Sequence, residues 1–348
     1  MESTTRPDPR SWEPPYFERP AISSVVEIAG RFLLFESNDA DVPGLAEFLD
    51  AHYYTAAPPG ACPAPDATIR WKLQEPRQLD GAFQQFEISG GGLGSTDGRT
   101  CMFDFKNACV VAHGDQPRHL EVLMRRALDL RTLDDLQVVN YAISIALRRC
   151  DVFEMHSGAV VEPQTGRGVL FAGASGSGKS TLTLQLVANG WQYLTDDVLL
   201  LKSVGGVMNA YPVRRAFAVT RSTVDASGGR AREAFANADW SNGSKKSFMP
   251  HDCFPGAFLP NCEPHSIFFP TIADEDQSVV RPLTRSQTMI RLIKLCPWSC
   301  YDPVTSAGHL HALSSLARQC AGFVLLAGRD LLRDPARASD LALKYTTV

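Results

Sequence analysis

The stretch Gly173-Ala174-Ser175-Gly176-Ser177-Gly178-Lys179-Ser180-Thr181 constrains this chain more than any other. It fits G-x-x-x-x-G-K-[ST] at Gly173, Gly178, Lys179 and Ser180. Its flanks suit the same reading. Gly168 to Ala172 is a short apolar run, expected as a buried strand. Thr181 to Asn189 carries Leu182, Leu184, Leu186 and Val187, which suits a helix packed on a sheet, and Gly190 can stop it. Strand, glycine-rich loop and helix in that order distinguish a phosphate site from a chance match in a flexible loop. The glycines let backbone N–H groups turn toward an anion, and the helix N-terminus adds a favourable dipole. Lys179 is expected to reach the β- and γ-phosphates of ATP, and the Ser180 hydroxyl to sit on Mg²⁺.

The segments around the loop add chemistry. Thr132 can cap a helix with Asp134 and Asp135 in its first turn and a stripe of Leu136, Val139, Ala142, Ile143 and Ala146. Met155 to Val161 reads as a strand carrying His156, and Pro163 to Arg167 turns the chain back. A hairpin, not a crossover helix, is therefore expected to feed the phosphate loop. Beyond it, Trp191 to Leu194 reads as a strand ending in Thr195-Asp196-Asp197, with Val198 to Leu201 as a further apolar run. Acids at a strand end after such a loop are placed to hold Mg²⁺ or to accept a proton. An Asp-Asp turn between two strands is the plainer alternative. Adjacent carboxylates repel unless a cation lies between them, which favours a divalent ion.

Length sets the domain count. A chain of 348 residues exceeds the usual single domain. The expected division is an arm over 1–20, rich in Pro7, Pro9, Pro14, Pro15 and Pro20, then a small α+β domain over 21–130, then a P-loop domain over 131–348. In the first domain, Ser24–Ile28 and Phe32–Phe35 form a hairpin pattern around Gly30, and Val42–Tyr53 has helical spacing. Ala56–Pro65 reads as a loop. Thr68–Leu73, Phe83–Ile88 and Cys101–Val111 read as strands, with a turn at Gly90-Gly91-Gly92.

In the second domain, Arg214-Arg215 suits either a clamp for phosphate or acid, or a solvated strand edge. Ser222–Gly243 lacks any period and reads as a long mobile loop, of the sort used as a lid. Ser286–Leu295 and Val304–Cys320 are helical, and His309 and His311 on the latter cannot share a face, so both are read as structural or surface residues.

Composition excludes several classes. A net charge of −4 argues against a nucleic-acid binder held by bulk electrostatics. The amino-terminal segment has no apolar core of a secretory signal, and no run is long enough to span a membrane. Nine cysteines form no C-x-x-C pair. A cytoplasmic protein is expected.

The combination of His156 on a strand, a hairpin, GASGSGKST, Gly190-Trp191 and Thr195-Asp196-Asp197 resembles HPr kinase/phosphorylase. It is more similar still to divergent HPr-kinase-like proteins, including those of peptide-modification clusters. Gly328-Arg329-Asp330-Leu331-Leu332 before Asp334-Pro335 resembles the same relatives. The likeness runs from about Thr132 to the C-terminus.

The resemblance implies an α/β fold of the PEP-carboxykinase type with a mixed central sheet, and a kinase using ATP and Mg²⁺ on a Ser or Thr hydroxyl of a peptide or small protein. A small-molecule acceptor, or a nucleotide-binding regulator, is the alternative. It also implies a homo-oligomer. Gly173 to Thr181 carry over as the nucleotide contacts, Lys179 on phosphate and Ser180 on metal. Asp196 and Asp197 carry over as base and metal ligand, and His156 as a neighbour of the transferred phosphate. Two departures stand out: Ala174 replaces an acidic residue, and L-E-x-R-G-x-G is absent after Asp197.

Overall fold

The computed structural model describes residues 22–37, 45–53, 64–76, 84–88, 92–214, 216–236 and 245–346. The arm over 1–20, most of the Ala56–Pro65 loop, Gly90, Gly91 and Arg215 lie outside them.

The amino-terminal half contains β1 (Ile22–Ile28), β2 (Arg31–Ser37), α1 (Leu45–His52), β3 (Ala67–Leu73), β4 (Gln84–Ile88), β5 (Gly92–Thr96), β6 (Thr100–Asp104), β7 (Ala108–His113), β8 (His119–Met124) and α2 (Leu133–Arg148). The expected first hairpin is present. Ala29 and Gly30 turn it with φ of 51° and 68°, the left-handed pair that matches strand twist. On β2, Leu33, Phe35 and Ser37 are buried in alternation, as a half-buried strand requires. The eight strands form one sheet in the order β1-β2-β3-β8-β7-β6-β5-β4. Pairs β2–β3 and β3–β8 are parallel.

One expectation fails here. Cys101–Val111 is not a single strand but the β6–β7 hairpin, closed by Phe105 N–H donating to Ala108 O at 2.8 Å. The turn residues Phe105-Lys106-Asn107 include no glycine or proline, so nothing punctuates the pattern.

The Thr132 cap is as expected: Asp135 N–H donates to its hydroxyl at 3.3 Å. The buried face of α2, with Val138, Val139, Ala142, Ile143, Ala146 and Leu147, shares the core of this first sheet. Each buried Val, Ile and Leu among them contributes roughly 1.5–3 kcal/mol, which ties α2 to the amino-terminal half.

The carboxy-terminal half begins with β9 (Phe153–Val161), β10 (Gly168–Ala172), α3 (Lys179–Ala188), β11 (Gln192–Thr195), β12 (Val198–Val204), β13 (Val207–Pro212) and β14 (Phe217–Val219). It continues with α4 (Arg221–Ala226), α5 (Gly229–Ala234), β15 (Lys246–Phe248), α6 (Pro250–Cys253), β16 (Pro264–Ile272) and β17 (Val279–Leu283). It ends with α7 (Arg285–Leu295), a 3₁₀ turn (Pro297–Cys300), α8 (Pro303–Gln319), β18 (Ala321–Ala327), α9 (Asp330–Arg333) and α10 (Ala336–Thr346). Its mixed eight-stranded sheet runs β13-β12-β9-β10-β16-β18-β17, with β11 also on β9. Alternation along β10 assigns its two faces. Val169 and Phe171 meet α3 and α10 in one core, while Leu170 and Ala172 join α7 and α8 in the other.

The Ser222–Gly243 expectation also needs correction. The chain is helical there as far as Ala234, in α4 and α5, and Val224, Ala231 and Phe235 are buried beside α3. Two six-residue helices offer too few apolar positions to reveal a period. Residues 237–243 lie outside the described part.

The halves are joined at the end of α2. Arg149 Nε donates to Asp302 Oδ2 at 2.9 Å and Nη2 to Oδ1 at 3.2 Å, with both side chains essentially inaccessible to solvent. Arg149 also donates to the carbonyls of Ala112 and His113 on β7, and Asp302 caps α8 through Val304 N–H. Arg148 donates to Trp298 O at 3.0 Å. Among the described residues no helix is long and apolar enough to cross a membrane.

Candidate active site

The expected hairpin does feed the glycine loop: β9 and β10 are antiparallel, from Gly168↔Val161 to Ala172↔Ser157. The buried strand β10 delivers the chain at Ala172, and α3 starts at Lys179. Between them Gly176 and Gly178 have φ of 78° and 97°, in the left-handed region where a side chain would be strained. Gly178 is the N-cap of α3 and offers no side-chain acceptor, so the first N–H groups of the helix are not capped in that way. At Gly173 a Cβ would lie 2.7 Å from Ser177 Oγ, which keeps the loop tightly closed.

Lys179 is buried, and its Nζ donates to Gly173 O at 2.8 Å and Ala174 O at 3.0 Å. Burial draws its pKa down; Asp197 and Asp196 oppose that, and Lys245 adds to it. Gly173 to Gly176 and Gly178 to Thr181 line a cleft of about 800 Å³. Its other walls include His156, Asp197, Ala218, Thr220, Ser222, Thr223, Lys245, Ile272, Lys294 and Trp298. That volume is in the range of small-molecule and cofactor sites. Ser177 Oγ is buried without a hydrogen-bond partner. A glycine-rich cradle with a buried lysine beside it suits a phosphate group.

The two aspartates occupy a break between strands. β11 pairs with the later part of β9 and β12 with the earlier part. Asp197 O accepts from Ser157 N–H at 2.8 Å in between. Their side chains then diverge. Asp196 is buried, accepts from Tyr193 Oη at 3.2 Å and from Ala218 N–H at 3.2 Å, and borders a small cavity beside Ser180. Burial pushes its carboxyl up to about 6. Asp197 is half exposed, with Oδ1 3.7 Å from His156 Nδ1. The neighbouring His156, followed by the charges of Arg214 and Lys179, holds its carboxyl below the usual range against the effect of burial.

Lys179, Ser180, Asp197 and His156 thus share one cleft, while Asp196 faces the other side of the same turn. Among the described residues no three His, Cys, Asp or Glu side chains converge as a metal cage. Mg²⁺ fits such a site differently. It takes one or two carboxylates and completes its shell with phosphate and water, and Ser180 with an adjacent aspartate is a donor set of that type.

Sequence reasoning missed Trp298, which packs edge-on against His156 at 5.1 Å and lines the loop cleft. It lies far along the chain in a 3₁₀ turn, and no spacing connects it to the loop. It also missed Thr220 and Tyr193. The Thr220 signal was present, since a threonine opening a helix is a capping pattern, and Thr223 N–H donates to its Oγ1 at 3.2 Å.

No family model matches the chain, and no curated protein matches it. Among solved structures, it is similar to the Hpr(Ser) kinase/phosphatase from Coxiella burnetii at 15% identity and a TM-score of 0.31. The match covers 55% of this chain and 92% of that one. A likeness at this level assigns no role to any residue.

Proposed function

We propose that this chain is an ATP- and Mg²⁺-dependent kinase that moves the γ-phosphoryl group to a Ser or Thr hydroxyl of a peptide or small protein. The observation that carries this reading is the convergence of Lys179, Ser180, Asp197 and His156 on the glycine-loop cleft, with a second cleft opening at Asp197. The loop N–H groups and the start of α3 bind the phosphates, and Lys179 turns from its own loop carbonyls to the β- and γ-oxygens. Ser180, which lines that cleft together with Asp197, would hold Mg²⁺, which when bound neutralises charge on the transferring group.

Asp197 accepts the proton of the attacking hydroxyl. The acceptor oxygen forms its bond to the γ-phosphorus as the bond from that phosphorus to the leaving oxygen of ADP breaks. His156 orients Asp197 and lies beside the phosphoryl path. Positioning and charge neutralisation supply most of the acceleration in such transfers, and a placed base adds about 10²–10⁴-fold.

The test is an intact-mass assay of serine-containing peptides with ATP and Mg²⁺. The expected result is the gain of one phosphate with the native chain and none with Lys179→Ala. ATP binding without transfer to any acceptor would refute the reading.

A further inference from the structure

A second cleft, of about 590 Å³, meets the glycine-loop cleft at Asp197, Ala218 and Lys245. We propose that it is the acceptor site, and that its occupant is a peptide segment with an apolar residue and an acidic residue flanking the reactive hydroxyl. This rests on the kinase reading above, because an in-line transfer needs the acceptor on the open side of the proton-accepting carboxylate.

The chemistry of the walls identifies the occupant. One wall comes from the amino-terminal half: Phe48 on α1 and Leu133 and Leu136 on α2. Leu133 is 78% exposed at the start of its helix, where a polar residue would normally stand. The paired strands β14 and β15 border the cleft as well, with Phe248 and the following Met249 in its lining. These apolar side chains line one cleft, and apolar residues gathered at a cleft mark binding surfaces more often than scattered leucines do.

The charged groups of the lining are Arg214, Lys245 and two carboxylates. Arg214 and Lys245 are exposed at the cleft, and neither forms an ion pair with another described residue. The carboxylates bordering the cleft are Asp196 and Asp197, at its inner end. Arg214 is close enough for its charge to act on Asp197, so an acid bound by Arg214 would lie beside the reacting hydroxyl. Guanidinium binds carboxylate in a planar, two-bond geometry, which favours an Asp or Glu side chain or a free carboxylate there.

An extended chain fits the floor. Ala218 and Ser247 are cross-strand partners on β14 and β15 and, with Ala216, present small side chains to the cleft. These small side chains leave room for a backbone beside the β14–β15 pair, with Asn140 of α2 held by the Tyr53 hydroxyl.

A positional-scanning library of serine peptides, incubated with ATP and Mg²⁺ and read by mass spectrometry, tests this. The native chain is expected to select an acidic residue on one side of the serine and an apolar residue on the other. Arg214→Glu should shift the acidic-to-basic selection by tenfold or more, as loss of a charged hydrogen bond predicts. Leu133→Asp should raise KM for peptides with the apolar residue while kcat is kept. Thermal melting checks that both variants fold.

Phosphorylation with no acidic selection, or selection unchanged in Arg214→Glu, overturns the inference and leaves the kinase reading intact. So does a uniform fall in kcat for all peptides in Arg214→Glu, which would place Arg214 on the phosphate instead. Phosphorylation of small hydroxy acids but of no peptide overturns the peptide assignment alone. ATP binding with transfer to neither class overturns both readings.

Discussion

Each half of this molecule has an eight-stranded mixed sheet with three parallel strands at its heart, β2-β3-β8 in the first and β10-β16-β18 in the second. The crossovers that leave those strands are chemically opposite. Between β2 and α1 the sequence reads Asn38-Asp39-Ala40-Asp41-Val42-Pro43-Gly44, with two acids and no cation. Between β10 and α3 it is glycine-rich and leads into Lys179. A parallel strand ending before a helix is thus common to both halves. Only the second half puts glycines and a lysine where an anion would meet the helix dipole. The sheet supplies a place, and the few residues at the strand end decide whether it binds phosphate.

The sharpest way to break this comparison is to alter the chemistry without the scaffold. Asp197→Asn should lower phosphotransfer about 10²–10⁴-fold while calorimetry still shows ATP binding. An activity unchanged within tenfold would remove Asp197 from the reaction. Next in size is the joint between the halves. Arg149→Met leaves Asp302 buried without its partner and should cost about 3–5 kcal/mol in chemical denaturation. If the halves are one cooperative unit, the single transition moves to lower denaturant; if they are not, it splits in two.

A smaller effect depends on pH. His309 is fully buried, stacked on Phe153 at 5.0 Å, and burial draws its pKa down to about 3, with Arg148 adding to the effect. Between pH 3 and about 6.5 the unfolded chain binds a proton there that the folded chain refuses. Stability from this residue is therefore present above about pH 6.5 and falls by up to ~1.4 kcal/mol per unit as pH drops below it. His309→Phe should flatten that part of the stability profile measured by urea unfolding. The mildest change is Thr284→Ala, which removes the capping box of α7, where Thr284 and Gln287 exchange side-chain to backbone bonds of 3.3 and 2.9 Å. A loss of about 1 kcal/mol with unchanged activity is expected.

Local signals were readable in the sequence where one residue type has one use. The Gly173–Thr181 loop, the β9–β10 hairpin and the Thr132 cap all rest on neighbours in the chain, and the structure has each of them. The α4–α5 region was hidden because helices of six residues are stabilised by burying Val224 and Phe235 on α3, not by a pattern of their own. The strand order of the first sheet and the approach of Trp298 to His156 depend on contacts distant in sequence. The split between Asp196 and Asp197 had a local clue, since consecutive residues of an extended chain point to opposite sides.

The break that carries these aspartates has a mechanical consequence. β11 and β12 pair with the same neighbour, β9, on either side of the acidic pair, and Gly158 opposite it is so close to α3 that a Cβ would sit 2.4 Å from Thr183 Oγ1. The acids therefore sit in a two-residue break held on both sides by β9 rather than in a swinging loop. Their positions are set when the domain folds, with little conformational freedom left to lose during a reaction.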